Sequence, residues 1–478
     1  MPSSAARMDA TRQLPKHLSQ HTVRAVLLLA LPVLAEQILA VGVGLVDTWL
    51  TGNFLPGDKY LAAIGQMAYL MWLIPSLFSF VGIGATALVS RFVGANEREL
   101  ANRSMHQAFL LGGILAAVIT VWLSLGGGWL IGILQLPPDA AELAEVYLRY
   151  LVPVIPAIMI ERVAISCLHG AGDTVAPMLV RVLVNFCNVV LSIALVVGFG
   201  PLPEMGWNGI ALGTAISHVV GAMTLLAILF KGRAGLRFEK ANAWLDRSLA
   251  TRLLNVGIPG GVDRMLILGC HLWFLALING LGTAQAAAHG LGVRIESLAY
   301  LPGGAFQVAA TTLVGQYLGA KDPRRAGRSV LVSLLLGGGV MTLAGIVFYV
   351  FGFELATFFT GGKNAETAEQ AAMLLRIAAF AMPCLATAMI VSGALRGAGD
   401  TRWPLVINVF GMLGVRITTM YLILSFSSLH TWAAGWSSLS PGHGILQAAW
   451  WTMFLDVSVR ALLVMLRFLQ GGWKTTKI

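Results

Sequence analysis

Apolar stretches of roughly 20 or more residues recur from Val23 to Leu469, broken by glycine, proline and short charged clusters. A bilayer core about 30 Å thick takes roughly 20 residues of helix, and a backbone in lipid must close its own hydrogen bonds. Each stretch is therefore predicted to be a transmembrane helix. Barrel strands are excluded, because they need only about 10 residues of alternating character. The breaks place twelve helices near 24–50, 60–90, 106–134, 146–170, 176–200, 207–231, 250–280, 284–318, 328–360, 370–396, 403–427 and 445–470.

Composition agrees. Of 478 residues, 57% are hydrophobic and 11% charged, against about 25% charged in soluble domains, which leaves too few charges for a water-facing surface. The balance of +10 does not point to nucleic acid, because the basic residues are spread over short loops, as at Lys321, Arg324, Arg325 and Arg328. If the N-terminus is cytoplasmic, the outside loops hold only Lys59, Arg149 and Lys363. The positive-inside rule then predicts cytoplasmic N- and C-termini in a multi-pass protein of the cell inner or plasma membrane. Arg7, Arg12 and Lys16 precede no short apolar core with a small-residue cleavage site, so the first helix is expected to act as an uncleaved anchor.

No loop is long enough for a soluble catalytic domain, and the G-x-x-x-x-G-K-[ST] phosphate cradle is absent from the sequence. Cys167, Cys187, Cys270 and Cys384 each stand alone in an apolar helix. No catalytic set, metal or cofactor is expected. Uphill transport by such a chain would draw on an ion gradient or a separate subunit.

The chain repeats itself. Leu168–Val180, LHGAGDTVAPMLV, returns 227 residues later as Leu395–Ile407, LRGAGDTRWPLVI. Leu88–Ser104 returns as Leu313–Ser329 at an offset of 225. An even number of spans brings the second half back to the same side, so two six-helix lobes of like orientation follow. The expected organisation is a tail 1–23, an N-lobe 24–231, a cytoplasmic linker 232–249, a C-lobe 250–470 and a tail 471–478. Parallel repeats of this kind are one architecture of alternating-access carriers, with the substrate site between the halves.

Six acids (Glu36, Asp47, Glu161, Asp263, Glu296, Asp456) and six arginines (Arg162, Arg264, Arg294, Arg376, Arg416, Arg460) fall inside predicted helices. A charge at the bilayer centre costs at least about 2.5–3.5 kcal/mol on insertion scales, so each needs a partner, water or a changed protonation state. Asp456 and Arg460, four apart, fit an ion pair on one helix face. Glu36 and Asp263 match at the repeat offset, and each follows a helix proline, Pro32 or Pro259, by four residues. Proline removes a backbone donor and kinks a helix, which offers a way to couple a bend to the charge of the nearby carboxyl. Asp47, eleven residues beyond Glu36, returns to the same stripe about 16 Å along the axis. Arg294 and Glu296 point about 200° apart, and at least one is expected to reach Asp263 or Arg264. His169, His218, His271 and His289 read as packing or polar-bond residues, with only His289 sharing a face with Glu296.

The residues LALPVLAEQ…GLVDTWLTG, GxGATALVSRFVGA, both GAGDT loops and AAAHGLGVRIESLAYLPGGAFQVAATTLVGQYLGA resemble the multidrug and toxic compound extrusion (MATE) family, of the NorM/DinF kind. The resemblance implies an all-α membrane protein of twelve helices in two pseudo-symmetric six-helix lobes. It also implies an antiporter that exports amphiphilic, often cationic compounds in exchange for H+ or Na+. Such a chain is expected to work as a monomer in the bilayer with small-molecule partners. Carried over residue by residue, the first-helix acid matches Asp47, and its network matches Asn188 and Thr214. Two positions depart: a fifth-helix acid of some members is Ser192 here, and a seventh-helix Glu falls on Ile267. Asp263, one turn earlier, is the expected stand-in. Glu36, Arg294, Glu296 and Asp456 complete the candidate coupling and substrate residues. A lipid-linked oligosaccharide flippase of the same superfamily is the alternative, for which Arg264, Arg294 and Arg416 would supply positive charge.

Overall fold

The structure, a computed structural model, describes residues 21–133, 137–200, 203–239, 244–362, 364–436, 441–476 and 478. The basic tail with Arg7, Arg12 and Lys16, linker positions 240–243 and Lys363 lie outside the described residues.

The described chain is helical and contains no sheet. The elements are α1 (Thr22–Phe54), α2 (Asp58–Leu77), α3 (Ser79–Gly94), α4 (Arg98–Ile133), α5 (Pro138–Leu151), α6 (Ile155–Ala171), α7 (Val175–Val197) and α8 (Trp207–Lys231). They continue as α9 (Arg247–Asn279), α10 (Thr283–Gly319), α11 (Pro323–Thr360), α12 (Ala365–Gly397), α13 (Arg402–Val409), a π-helical segment Phe410–Ile417, α14 (Thr418–Ser425), α15 (Ser427–Ala434) and α16 (Pro441–Gln470).

These make twelve spans once consecutive pieces are joined. The second is α2 with α3, which part just beyond Pro75, a residue that cannot donate to the preceding turn. The fourth is α5 and α6 joined by a 3₁₀ turn containing Pro153, and the eleventh runs from α13 through the π segment to α14. The short α15 has no counterpart in the predicted spans. Among the described residues, ten helical stretches are long and apolar enough on length and composition to cross a bilayer. Helices α10 and α16 are outside that ten, their hydropathy lowered by glycine, glutamine, histidine and intramembrane charges. Outward faces are lined with exposed apolar side chains such as Leu125, Leu335 and Phe358, as lipid contact requires.

The chain folds as two compact units. One is Leu31–Gly261; the other joins the stretch ending at Ala30 to Val262–Ile478. Both changeovers fall inside helices, α1 and α9, within two residues of Pro32 and Pro259. In the first unit, Leu50, Met67, Tyr147, Leu148 and Trp207 form a buried core, and Gly257 and Gly261 of α9 bring its backbone against Phe80. In the second, Ala25, Val26 and Leu29 of α1 pack with Phe306, Leu313 and Tyr317 of α10. Phe274, Phe348, Leu374 and Trp450 gather in a further cluster.

The repeat extends to single hydrogen bonds. Thr86 Oγ1 donates to the Ser166 carbonyl at 2.9 Å, and Thr311 Oγ1 donates to the Gly393 carbonyl at 2.8 Å. Gly170 stands where a Cβ would lie 2.9 Å from the Thr86 carbonyl oxygen, and a Cβ on Gly397 would collide with the Thr311 carbonyl. Helix contact this close excludes any side chain.

Both GAGDT loops close the same way. Gly172 and Gly399 adopt φ of 85°, a left-handed value that glycine takes at little cost. The amides of Asp173 and Asp400 donate to the Leu168 and Leu395 carbonyls at 2.9 Å, ending α6 and α12 in Schellman fashion. The acids then bond arginines at the ends of later helices: Asp173 bonds Arg233, just past α8, at 2.5 Å, and Asp400 bonds Arg467 Nε of α16 at 2.9 Å.

The described linker residues pack on α4. Asn102 accepts from the Arg237 amide at 2.8 Å, Gln107 donates to the Trp244 carbonyl at 2.8 Å, and Arg103 pairs with Asp246. Asp246 in turn caps α9 by accepting from the Ser248 and Leu249 amides.

Candidate functional site

The buried acids separate into three environments. Asp47, near the end of α1, is 4% exposed. Thr214 of α8 donates to its Oδ2 at 3.0 Å, and Asn188 of α7 lies 3.4 Å from Oδ1. The Tyr147 hydroxyl approaches Oδ2 at 3.4 Å. Asn188 also donates to Thr214 Oγ1 at 2.9 Å and lies 3.4 Å from Ser192 Oγ. Among the described residues the hydrogen-bond partners of this carboxylate are neutral, and no Arg or Lys bonds it. Helical spacing positions the set: Asn188 and Ser192 share a face of α7, and α7 packs along α8. The structure thus brings Asp47, Asn188 and Thr214 together and adds Tyr147, which sequence reasoning missed because a lone tyrosine in a helix carries no pattern.

Glu36 and Glu161 form a second cluster in the same unit. His169 Nε2 stands 3.1 Å from Glu36 Oε2, and His218 Nδ1 stands 3.1 Å from Glu161 Oε2. Arg181 Nη1 lies 3.8 Å from Glu161 Oε2. All five side chains are buried. Gly221 of α8 leaves the space that Glu161 Oε1 fills. His169 and His218 read as lone residues in the sequence; each faces a carboxylate here.

In the second unit the acids are held by guanidinium groups. Asp263, fully buried, pairs with Arg396 and accepts from Asn408 Nδ2 at 2.6 Å. Arg460 links this pair to the next, donating to Asn408 Oδ1 at 3.2 Å and to Asp456 at 2.7 and 2.9 Å. Arg416 Nη2 closes on Asp456 Oδ2 at 2.6 Å. Arg416 comes from the π-helical segment, a form that concentrates at functional sites, and its guanidinium lies 5.8 Å from the Phe274 ring centroid. Gly411 makes room for the pair, because a Cβ there would meet Asp456 Oδ1 at 2.6 Å. The i,i+4 pairing of Asp456 with Arg460 thus exists, with Arg416 as a third member.

One expectation is corrected. Neither Arg294 nor Glu296 reaches Asp263, which Arg396 and Asn408 already occupy. Arg294 is exposed on α10, and Glu296 is buried beside Tyr300 with Oε2 unbonded among the described groups. His289 accepts from Trp450 Nε1 at 3.1 Å, a polar bond of the kind expected for it. No cluster of three or more His, Cys, Asp or Glu suited to a metal occurs among the described residues.

A duplicated six-span bundle with acids buried inside each unit is an architecture of polytopic membrane carriers. The MatE family model matches residues 32–194 and again 259–422, beginning at Pro32 and at its repeat mate Pro259. The chain belongs to the MatE family. It is 28% identical over 466 residues to a probable multidrug resistance protein NorM of Thermotoga maritima, covering 96% of this chain and 95% of that protein. It is 26% identical over 419 residues to a probable multidrug resistance protein YoeA of Bacillus subtilis, covering 85% and 88%. A crystal structure of MATE in complex with MaL6 shares the fold with a TM-score of 0.85 at 21% identity, covering 98% of this chain and all of that one.

Proposed function

We propose that the chain is a cation-coupled antiporter, exporting amphiphilic or cationic drugs or metabolites by alternating access of its two halves. H+ or Na+ is the coupling ion. The setting is a cell inner or plasma membrane, with both termini cytoplasmic.

One observation carries the reading: buried Asp47 is hydrogen-bonded to neutral groups, Thr214, Asn188 and Tyr147, whereas Asp263 and Asp456 are bonded to arginines. A carboxylate without a fixed counter-charge in a low-dielectric site favours uptake of a proton or a small cation. The oxygens of Asp47, Thr214, Tyr147 and Asn188 offer acceptors for either. Binding of the ion removes a buried negative charge, and its loss restores one. A cargo that binds with a different affinity to the charged form shifts the equilibrium between the two states of the carrier. The relatives named as multidrug resistance proteins support this class of cargo. The flippase alternative would draw on free cationic groups, and Arg416 is instead engaged by Asp456.

The test is ethidium movement in proteoliposomes under an imposed proton or sodium gradient, comparing wild type with Asp47→Asn and Asp263→Asn. Exchange driven by one gradient and lost in Asp47→Asn supports the antiporter and names its ion. No exchange under either gradient from a well-folded protein overturns it.

A further inference from the structure

The two units place equivalent acids against non-equivalent partners. Glu36 and Asp263 match at the repeat offset of 227, and so do His169 and Arg396. The first unit therefore holds a carboxylate–imidazole contact, Glu36 Oε2 to His169 Nε2 at 3.1 Å, where the second holds a carboxylate–guanidinium pair, Asp263 with Arg396. The third member differs as well: Arg181 in the first unit corresponds to Asn408 in the second. Guanidinium stays charged at every physiological pH, whereas imidazole changes charge within it. One duplicated position is thus a permanent cation in one unit and a titratable one in the other.

We propose that the Glu36–His169 pair is a second proton-binding site of the transport cycle, separate from Asp47. A proton adds to the neutral imidazole and gives an imidazolium facing the Glu36 carboxylate; its loss leaves a neutral imidazole hydrogen-bonded to the carboxylate anion. His169 lies in the last turn of α6 and directly precedes the GAGDT loop, so its charge is set where that helix ends. The charged groups around the pair are Glu36 itself, Arg181 of α7 and Arg162 of α6. Glu161 and His218, bonded to each other at 3.1 Å, complete the titratable groups of α6 and α8 that pack around the pair. The contact ties α1 just beyond Pro32 to the end of α6. Protonation converts it from a hydrogen bond to an ion pair and so biases the position of α1 in this unit. The second unit, with Arg396, has no such freedom.

This inference rests on proton coupling, so its test separates the two. Histidine-labelled protein in detergent is titrated by NMR, with the His169 signal identified by its loss in His169→Gln. The expected result is a signal that passes between neutral and charged positions between about pH 5 and 8, with a midpoint that moves in Glu36→Gln. In proteoliposomes, His169→Arg copies the second unit and makes the pH profile of ethidium exchange shallower than wild type. The ratio of rates between pH 6 and 8 then falls about twofold or more below the wild-type ratio, and the dependence set by Asp47 remains. An imidazole that keeps one protonation state across the range, a midpoint indifferent to Glu36→Gln, or a His169→Arg profile that superimposes on wild type overturns the proposal. A His169 that titrates with Glu36 in a protein showing no gradient-driven exchange supports the proton site and counts against the antiporter reading alone.

Discussion

Thr214 Oγ1 donates to Asp47 Oδ2 at 3.0 Å, joining α8 to α1 across 167 positions of sequence. Its lone pairs also receive Asn188 Nδ2 at 2.9 Å, so one hydroxyl links an acid to an amide without adding charge. The carboxylate is held in place but not neutralised, which distinguishes it from Asp263 and Asp456.

Replacing Thr214 by Val keeps the volume and removes the donor. A hydrogen bond to a charged group contributes about 1.5–3 kcal/mol, so affinity for the coupling ion should change by about tenfold or more. Ion dependence of ethidium exchange measures it. Asp47→Asn should abolish gradient-driven exchange altogether, with the protein still folded by size-exclusion chromatography.

Asp456 offsets Arg416 and Arg460 at once. Asp456→Ala leaves two buried guanidinium groups without their carboxylate, a loss of about 3–5 kcal/mol. The expected outcome is a marked fall in thermal unfolding midpoint in detergent, well beyond that of Glu296→Gln, whose Oε2 has no bonded partner among the described residues.

A methyl group separates crowded from open glycines. Gly397→Ala forces α12 away from the Thr311 carbonyl, and overpacking of this kind costs about 1–3 kcal/mol. Gly113→Ala in α4 meets nothing within 4 Å and should leave the unfolding midpoint unchanged or raised. Equal effects from the two would show that the close helix contact is not built as described.

The acids of the two GAGDT loops differ in enclosure. Arg467 is 18% exposed against Asp400, whereas Arg233 is 51% exposed against Asp173. Solvent screening weakens the second pair, so Asp400→Ala should lower the unfolding midpoint more than Asp173→Ala, and raised salt, which screens the exposed pair further, should widen the gap.

Much was legible in the sequence because lipid imposes a local rule. Twelve spans follow from apolar length and from the need of each segment to close its own hydrogen bonds, and the duplication follows from GAGDT recurring at 227 residues. The pairing of Asp456 with Arg460 is local too, since four residues return to one helix face. The gathering of Asn188 and Thr214 on Asp47 was expected from family resemblance. Spacing could not have placed them, because their separations of 141 and 167 residues carry no periodic signal. Tertiary structure alone decided which partner each buried acid received: Tyr147 for Asp47, His169 for Glu36, Arg396 and Asn408 for Asp263, Arg416 for Asp456. It also set the changeover between units inside α1 and α9 rather than in the linker. Hydropathy records only that a segment prefers lipid to water. The partner of a buried charge is chosen by which helix faces pack together, and that choice is written in the fit of glycines and side chains between segments far apart in the chain.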